Sequence, residues 1–199
     1  MGGRDEVNAR SGDDEVDGGR GSDDILGRLG GDFLSGGGGP DEIDGGPGTS
    51  AASEPPGDFF CFLSDPDTGF QAFTEGDQSL FGDNGNDSLV GGIDNDFLGG
   101  GAGRNDLSGR GGDDCLDLTG DANERASGGD GDDIIFAVDG NVDDVFCGAG
   151  IDTVQADVVD RVAADCENVF RFSLLQATGS TPVVEVTITT PEGTITTTR

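Results

Sequence analysis

The chain contains no histidine, no lysine, no tryptophan and no tyrosine, and all ten of its cationic side chains are arginines. Without histidine it cannot supply an HExxH zinc site, a Ser-His-Asp triad or a histidine base for a cysteine nucleophile. It also lacks a GxSxG motif and any apolar run long enough to span a membrane. These absences exclude the familiar hydrolase sites and predict that the chain is not an enzyme.

Positive charge is scarce as well. The 199 residues carry 41 acidic and 10 basic side chains, which gives a formal net charge of −31. Binding to a phosphate backbone depends on clustered lysine and arginine, so nucleic acid is excluded as a partner. The 39 glycines would ordinarily indicate disorder. Their spacing, however, is regular.

A nonapeptide of the form GGxGxDxUx, where U is a large aliphatic residue, recurs along most of the chain. Clean copies are GGRGSDDIL, GGGGPDEID, GDNGNDSLV and GGDGDDIIF. Glycines at positions one, two and four permit positive φ, so the first six residues can form a tight turn. The aspartate at position six supplies a hard carboxylate oxygen, and turn carbonyls can complete the all-oxygen shell that Ca²⁺ prefers. The aliphatic residue at position eight fits a short strand facing a shared core.

The period predicts a set of metal ligands at position six. They are Asp5, Asp14, Asp23, Asp32, Asp41, Asp87, Asp96, Asn105, Asp114, Asp133, Asp143 and Asp152. The core residues predicted at position eight are Val7, Val16, Ile25, Leu34, Ile43, Leu89, Leu98, Leu107, Leu116, Ile135, Val145 and Val154.

Over roughly residues 1 to 155, these repeats resemble the RTX (haemolysin-type calcium-binding repeat) family of secreted bacterial proteins. The resemblance implies an all-β fold, a parallel β-roll (β-solenoid) with two nonapeptides per coil and several Ca²⁺ ions between stacked turns. Turns 18 residues apart should then share an ion. The implied groupings are Asp5, Asp23 and Asp41 on one edge, Asp14 with Asp32 on the other, Asp87 with Asn105, and Asp96 with Asp114.

Two residues depart from the aspartate pattern, and two repeats are longer than nine residues. Asn105 and Gln78 stand at position six and should give weaker, less charged sites. The segment from Leu118 to Ser127 spans ten residues, and another residue is inserted near Ala137. Because glycine-rich backbones are costly to order and stacked aspartates repel one another, we expect folding to depend on Ca²⁺.

The period divides the chain into four segments. Residues 1–53 form a first repeat block, 73–155 hold a second and third block, and 156–199 form a C-terminal capping segment with a β-hairpin. Residues 54–72 break the pattern and are rich in phenylalanine. They are either a degenerate coil with an aromatic core or an excursion whose aromatic side chains cap the roll or contact a partner.

Four cysteines allow three pairings. Cys147 and Cys166 are 19 residues apart, about one coil, and the surrounding segment resembles the end of many family members, so we expect this pair to be bonded. Cys61 and Cys115 are 54 apart and can pair only if residues 54–72 leave the stack. The even count favours an oxidising compartment.

Secretion is expected from the family resemblance. No signal peptide is visible, and because the chain begins part-way through a repeat, a missing N-terminus is the simplest explanation. The first functional hypothesis is a secreted, calcium-stabilised β-roll that acts as a structural or binding protein. The alternatives are the repeat portion of a larger secreted enzyme or toxin, or an adhesin segment. No protein or glycan partner is indicated.

Overall fold

The computed structural model describes residues 3–47, 77–175, 183–190 and 193–198. Within these ranges the protein consists of β-strands and turns, and no helix is long and apolar enough to cross a membrane. The strands are β1 (Glu6–Ser11), β2 (Glu15–Asp17), β3 (Asp24–Leu29), β4 (Phe33–Ser35), β5 (Glu42–Asp44), β6 (Ser79–Phe81), β7 (Ser88–Val90), β8 (Phe97–Gly99), β9 (Asp106–Gly111), β10 (Cys115–Asp117), β11 (Arg125–Asp130), β12 (Ile134–Ala137), β13 (Asp144–Ala149), β14 (Thr153–Asp157), β15 (Arg161–Val162), β16 (Asn168–Leu175), β17 (Val183–Thr190) and β18 (Gly193–Thr198).

The chain alternates between two sheets. The odd-numbered strands from β1 to β15 form one sheet, and the even-numbered strands from β2 to β16 lie in the other, in sequence order and parallel. Two strands and the two turns between them make one coil, so coil 1 contains β1 and β2, and coil 8 contains β15 and β16. The predicted parallel β-roll is therefore confirmed.

The core lies between the two sheets and is built from the position-eight side chains. In a short strand only alternate residues face inward, so each nonapeptide contributes little more than one aliphatic group. The predicted residues Ile25, Leu34, Ile43, Leu89, Leu98, Leu107, Leu116, Ile135, Val145 and Val154 are fully buried, as predicted. Val7 and Val16 are only partly buried because they lie in coil 1, at the open end of the stack.

The two lengthened repeats stay in register. Their extra length changes the strand offset from 18 to 19 residues, as in the pairing of Cys115 with Ile134. Leu118 and Ala137 are fully buried beside the position-eight column. The insertions therefore add apolar groups to the core without interrupting either sheet.

Both sheets continue directly across the phenylalanine-rich interruption. Phe33 of β4 pairs with Ser79 of β6, and Glu42 of β5 pairs with Ser88 of β7. No coil stands between these paired strands, so the pairing contradicts a degenerate coil stacked between them, which was one of the two alternatives. Residues 54–72 lie outside the described residues, as does Cys61, while Cys115 is disulfide-bonded.

The C-terminal segment closes the stack in two ways. The predicted pair Cys147 and Cys166 is bonded, with 5.2 Å between the Cα atoms. The predicted hairpin is also present as β17 and β18, which pair up to Thr190 and Gly193. Strand β17 runs antiparallel to β16, so the hairpin extends the second sheet beyond coil 8 in a new direction.

We expect Leu98→Ala to lower the free energy of unfolding of the calcium-loaded protein by about 2–5 kcal/mol, since the fully buried side chain leaves a cavity between the sheets. Urea unfolding followed by circular dichroism measures this. Leu29→Ala is the control because Leu29 is 48% exposed. Equal effects of the two substitutions would contradict the assigned core.

Removing the C-terminal disulfide with Cys147→Ser and Cys166→Ser should cost about 3 kcal/mol, because the bond closes a loop of moderate length. The same unfolding measurement in calcium tests it. Variants are used rather than a reductant because Cys115 is also disulfide-bonded. An unchanged unfolding midpoint in the double variant would show that coil 8 does not depend on the bond.

Candidate metal centre

The position-six side chains form two ladders, one along each edge of the roll. Edge A contains the turns that lead into the odd-numbered strands, and edge B contains those that lead into the even-numbered strands. Edge A carries Asp5, Asp23, Asp41, Asp87, Asn105, Glu124, Asp143 and Asp160; edge B carries Asp14, Asp32, Gln78, Asp96, Asp114, Asp133, Asp152 and Glu167.

Hydrogen bonds connect neighbouring members of each ladder. On edge A, the backbone N–H of Asp5 donates to Oδ1 of Asp23 at 2.8 Å, and that of Asp23 donates to Oδ1 of Asp41 at 2.8 Å. On edge B, the N–H of Asp14 donates to Oδ1 of Asp32 at 2.9 Å. The predicted groupings on the two edges are thus adjacent in space. One carboxylate oxygen of each residue holds the preceding coil in register.

The other oxygen of most ladder members is buried and has no hydrogen-bond partner among the described residues. A buried carboxylate oxygen without a partner is costly, so a bound cation or proton is expected there. These atoms are Oδ2 of Asp14, Asp23, Asp32, Asp41, Asp87, Asp114, Asp133, Asp143 and Asp152, and Oε2 of Glu124.

Backbone carbonyls converge on the same space. A Cβ atom added to Gly18 would lie 2.8 Å from Oδ2 of Asp23 and 2.7 Å from the carbonyl oxygen of Gly36 in the next coil. The same holds for a carboxylate oxygen of the same turn and a carbonyl oxygen of the next coil at Gly27, Gly82, Gly91, Gly109 and Gly128. A side chain at these glycines would fill the gap between the two oxygens.

This donor set fits Ca²⁺. Among the described residues no three carboxylate or thiolate side chains converge, so any ion takes one carboxylate per turn together with main-chain oxygens. The absence of nitrogen and sulfur donors disfavours Zn²⁺ and Cu²⁺. A flexible shell of several carbonyls suits Ca²⁺ better than Mg²⁺, which demands octahedral geometry and retains water.

Asp96 differs from its neighbours. Its Oδ1 accepts from the N–H of Gln78 at 2.8 Å, but its Oδ2 accepts from Gly92 N–H of its own turn at 2.5 Å. Asp96 is fully buried, and its own N–H donates to Oδ1 of Asp114 in the next coil at 2.8 Å. Its Oδ2 therefore already has a hydrogen-bond donor within the protein, unlike Oδ2 of most ladder aspartates.

Three ladder members were missed by sequence reasoning: Glu124, Asp160 and Glu167. Oδ1 of Asp160 accepts from Asp143 N–H at 3.0 Å, and Oε2 of Glu167 accepts from Asp152 N–H at 3.0 Å. The signal was an acidic residue two places before a core residue, here Ala126, Val162 and Val169. Irregular repeat lengths concealed it, because a forward count of nine from Asp114 reaches residue 123 and one from Asp152 reaches residue 161, each one place from the ladder member.

Burial raises the pKa of these carboxyl groups in the metal-free fold. Desolvation is the main cause, and neighbouring carboxylates add to it. The pKa of Asp114 is raised to about 9, and those of Asp133 and Asp143 to about 7. The pKa of Glu124 rises to about 8 and that of Asp87 to about 6 for the same first reason. In the metal-free fold these carboxyl groups therefore retain protons near neutral pH, because burial disfavours their charged form.

We expect chelated protein to fold better as the pH falls from about 9 to about 5. Unfolded aspartates titrate near pKa 3.9, whereas the folded carboxyl groups bind protons at higher pH, so protonation favours the fold in this window. Folding by calcium should instead weaken as the pH falls. Protons compete with calcium for the same oxygens, so a higher calcium concentration is needed for half-maximal folding. Far-UV circular dichroism between pH 5 and 9, with and without chelator, tests both. A chelated protein that loses β signal towards pH 5 would contradict this account.

Comparison with known families agrees with this geometry. The family model of the RTX calcium-binding nonapeptide repeat (4 copies) matches residues 1–34, 26–49, 74–107, 81–116 and 118–154. No curated protein matches the chain. The matched segments together cover well over half of the sequence and contain all of the ladder residues except Asp160 and Glu167. The chain belongs to the RTX calcium-binding nonapeptide repeat family, whose repeats bind calcium in a β-roll.

Proposed function

We propose that this protein is a secreted structural or binding module whose two carboxylate ladders bind Ca²⁺ and whose fold depends on that binding. The proposed ligands are the position-six aspartates together with turn carbonyls of the same and the next coil. The observation that carries the proposal is the row of buried carboxylate oxygens without partners among the described residues, several of which lie beside a carbonyl of the next coil.

Electrostatics explains why the ion is needed. Successive ladder carboxylates lie one coil apart, close to 5 Å, at the usual strand spacing, and their burial weakens screening by water. The chain has a net charge of −31 and few cations to offset it. Each Ca²⁺ placed between two turns neutralises two carboxylates and links two coils. Binding energy then becomes folding energy.

The disulfide and the type of calcium site both support an extracellular location. Cys147 and Cys166 are bonded, which suits an oxidising compartment. Sites built from one carboxylate per turn suit the millimolar calcium found outside cells. Detection of the intact chain only in the cytosol of the producing cell would oppose this location. A reproducible catalytic activity of the purified chain would oppose a purely structural or binding role.

The direct test is a calcium titration of chelated protein at pH 8, followed by far-UV circular dichroism, with magnesium as the control. Calcium should produce a cooperative gain of β signal, and magnesium at the same concentration should not. No change, or equal responses to the two ions, would reject the proposal.

Replacing one ladder aspartate should reduce calcium binding far more than replacing one exposed aspartate. Asp133→Asn should reduce the calcium bound at saturation by about one ion per chain, because Asp133 is 1% exposed and its Oδ2 has no partner among the described residues. Asp106→Asn, the control, removes the same charge from a side chain that is 59% exposed. Equilibrium dialysis with metal analysis measures both. Identical losses in the two variants would mean that net charge, and not the ladder, determines binding.

A further inference from the structure

Asn105 occupies position six on edge A of coil 5, but its side chain is bonded differently from the ladder aspartates. It is 3% exposed. Its Oδ1 accepts from Asp87 N–H at 3.0 Å, as an aspartate would. Its Nδ2 donates to Oε1 of Glu124 at 2.6 Å and makes longer contacts with the carbonyl oxygens of Gly101 at 3.4 Å and Gly103 at 3.5 Å.

The orientation of this amide is determined by its surroundings. Exchanging its oxygen and nitrogen would place an N–H₂ group against the N–H of Asp87 and an oxygen against Oε1 of Glu124. Both new contacts would be repulsive, and both hydrogen bonds would be lost. Nδ2 is therefore the atom that faces the oxygens of its own turn and of coil 6.

Asp114, at position six on the other edge of the same coil, provides the comparison. Its Oδ1 accepts from Asp96 N–H at 2.8 Å, and its Oδ2 is buried without a partner among the described residues. At Asn105 the corresponding atom is a nitrogen that carries two protons. A cation cannot use it as a ligand, since its hydrogens point towards the oxygens that would surround the ion.

The next ladder residue on edge A is a glutamate that complements the asparagine at position 105. Coil 6 carries Glu124 where other coils carry aspartate, and the additional methylene lets its Oε1 reach Nδ2 of Asn105. A hydrogen bond from an amide to a carboxylate is charge-assisted and stronger than a neutral one. The amide thus bonds Oε1 of Glu124, the oxygen that faces Asn105, while Oε2 of Glu124 has no partner among the described residues.

A similar arrangement lies on edge B of coil 3. Gln78 is fully buried, and its Nε2 donates to the carbonyl oxygen of Gly46 at 3.1 Å. A Cβ atom on Gly45 would overlap Oε1 of Gln78, so the longer amide fills the space beside the position-one glycine. This junction, too, uses an amide donor on a turn carbonyl.

We propose that Asn105 and Glu124 form a metal-free clasp between coils 5 and 6, so that this junction of edge A takes no calcium ion at Asn105. The proposal rests on the proposed function, because it assumes that neighbouring carboxylate junctions bind calcium. It replaces the sequence-based expectation of a weaker calcium site at Asn105. Asn105 is then a residue that determines ion occupancy, and its exchange for aspartate should open a site.

The test compares two reciprocal variants of coil 5 with the wild-type protein. Asn105→Asp removes the N–H donors and restores a carboxylate, so saturated protein should bind about one ion more per chain. Asp114→Asn makes the opposite change on the other edge and should bind about one ion fewer. Bound calcium is counted by equilibrium dialysis and metal analysis. An unchanged count in Asn105→Asp, with a reduced count in Asp114→Asn, would overturn the clasp.

A second readout does not depend on counting ions. In the folded protein the side-chain NH₂ protons of Asn105 should exchange with solvent slowly, and Asn105→Asp should remove that NMR signal and so assign it. Rapid exchange would overturn the clasp. If the wild-type protein bound no calcium, the proposed function would fail, while slow exchange of this amide in the folded chain would still support the hydrogen-bonded pair.

Discussion

The repulsion between buried, stacked carboxylates is the constraint on which the rest of this structure depends. Most ladder aspartates use one oxygen to hold the preceding coil and leave the other buried without a partner among the described residues. Desolvation raises the pKa of these groups, which means that the fold alone does not stabilise their charge. In the proposed calcium form, a divalent cation relieves this repulsion at the carboxylate junctions, whereas a proton neutralises only one carboxyl group. Where position one is glycine, the absence of a side chain leaves space for the cation between two turns.

The remaining features compensate for a thin core. One aliphatic side chain per nonapeptide gives limited burial, so the covalent bond between Cys147 and Cys166 and the antiparallel hairpin reinforce the C-terminal end. The opposite end has no such support among the described residues, and Val7 and Val16 are only partly covered there. Among the described residues, the roll therefore has its additional support at coil 8.

The sequence predicted the parallel β-roll, its core column and the pairing of Cys147 with Cys166 because a period of nine determines which residues stack. It did not predict Glu124, Asp160 and Glu167, since irregular turn lengths break the count while the hydrogen bonds still form. The sequence left a degenerate coil between β4 and β6 as one of two alternatives, and only the direct pairing of Phe33 with Ser79 contradicts it. The role of Asn105 depends on which way its amide points. No repeat pattern contains that information.

The most direct test of the central claim is a crystal structure of the calcium-loaded protein with an anomalous difference map. We predict two rows of calcium peaks, one along each edge, spaced about 4.8 Å apart where consecutive junctions are occupied. Each peak should contact Oδ2 of a ladder aspartate and carbonyl oxygens of adjacent turns. A folded roll without peaks along its edges, or with calcium bound only to exposed carboxylates, would contradict the account.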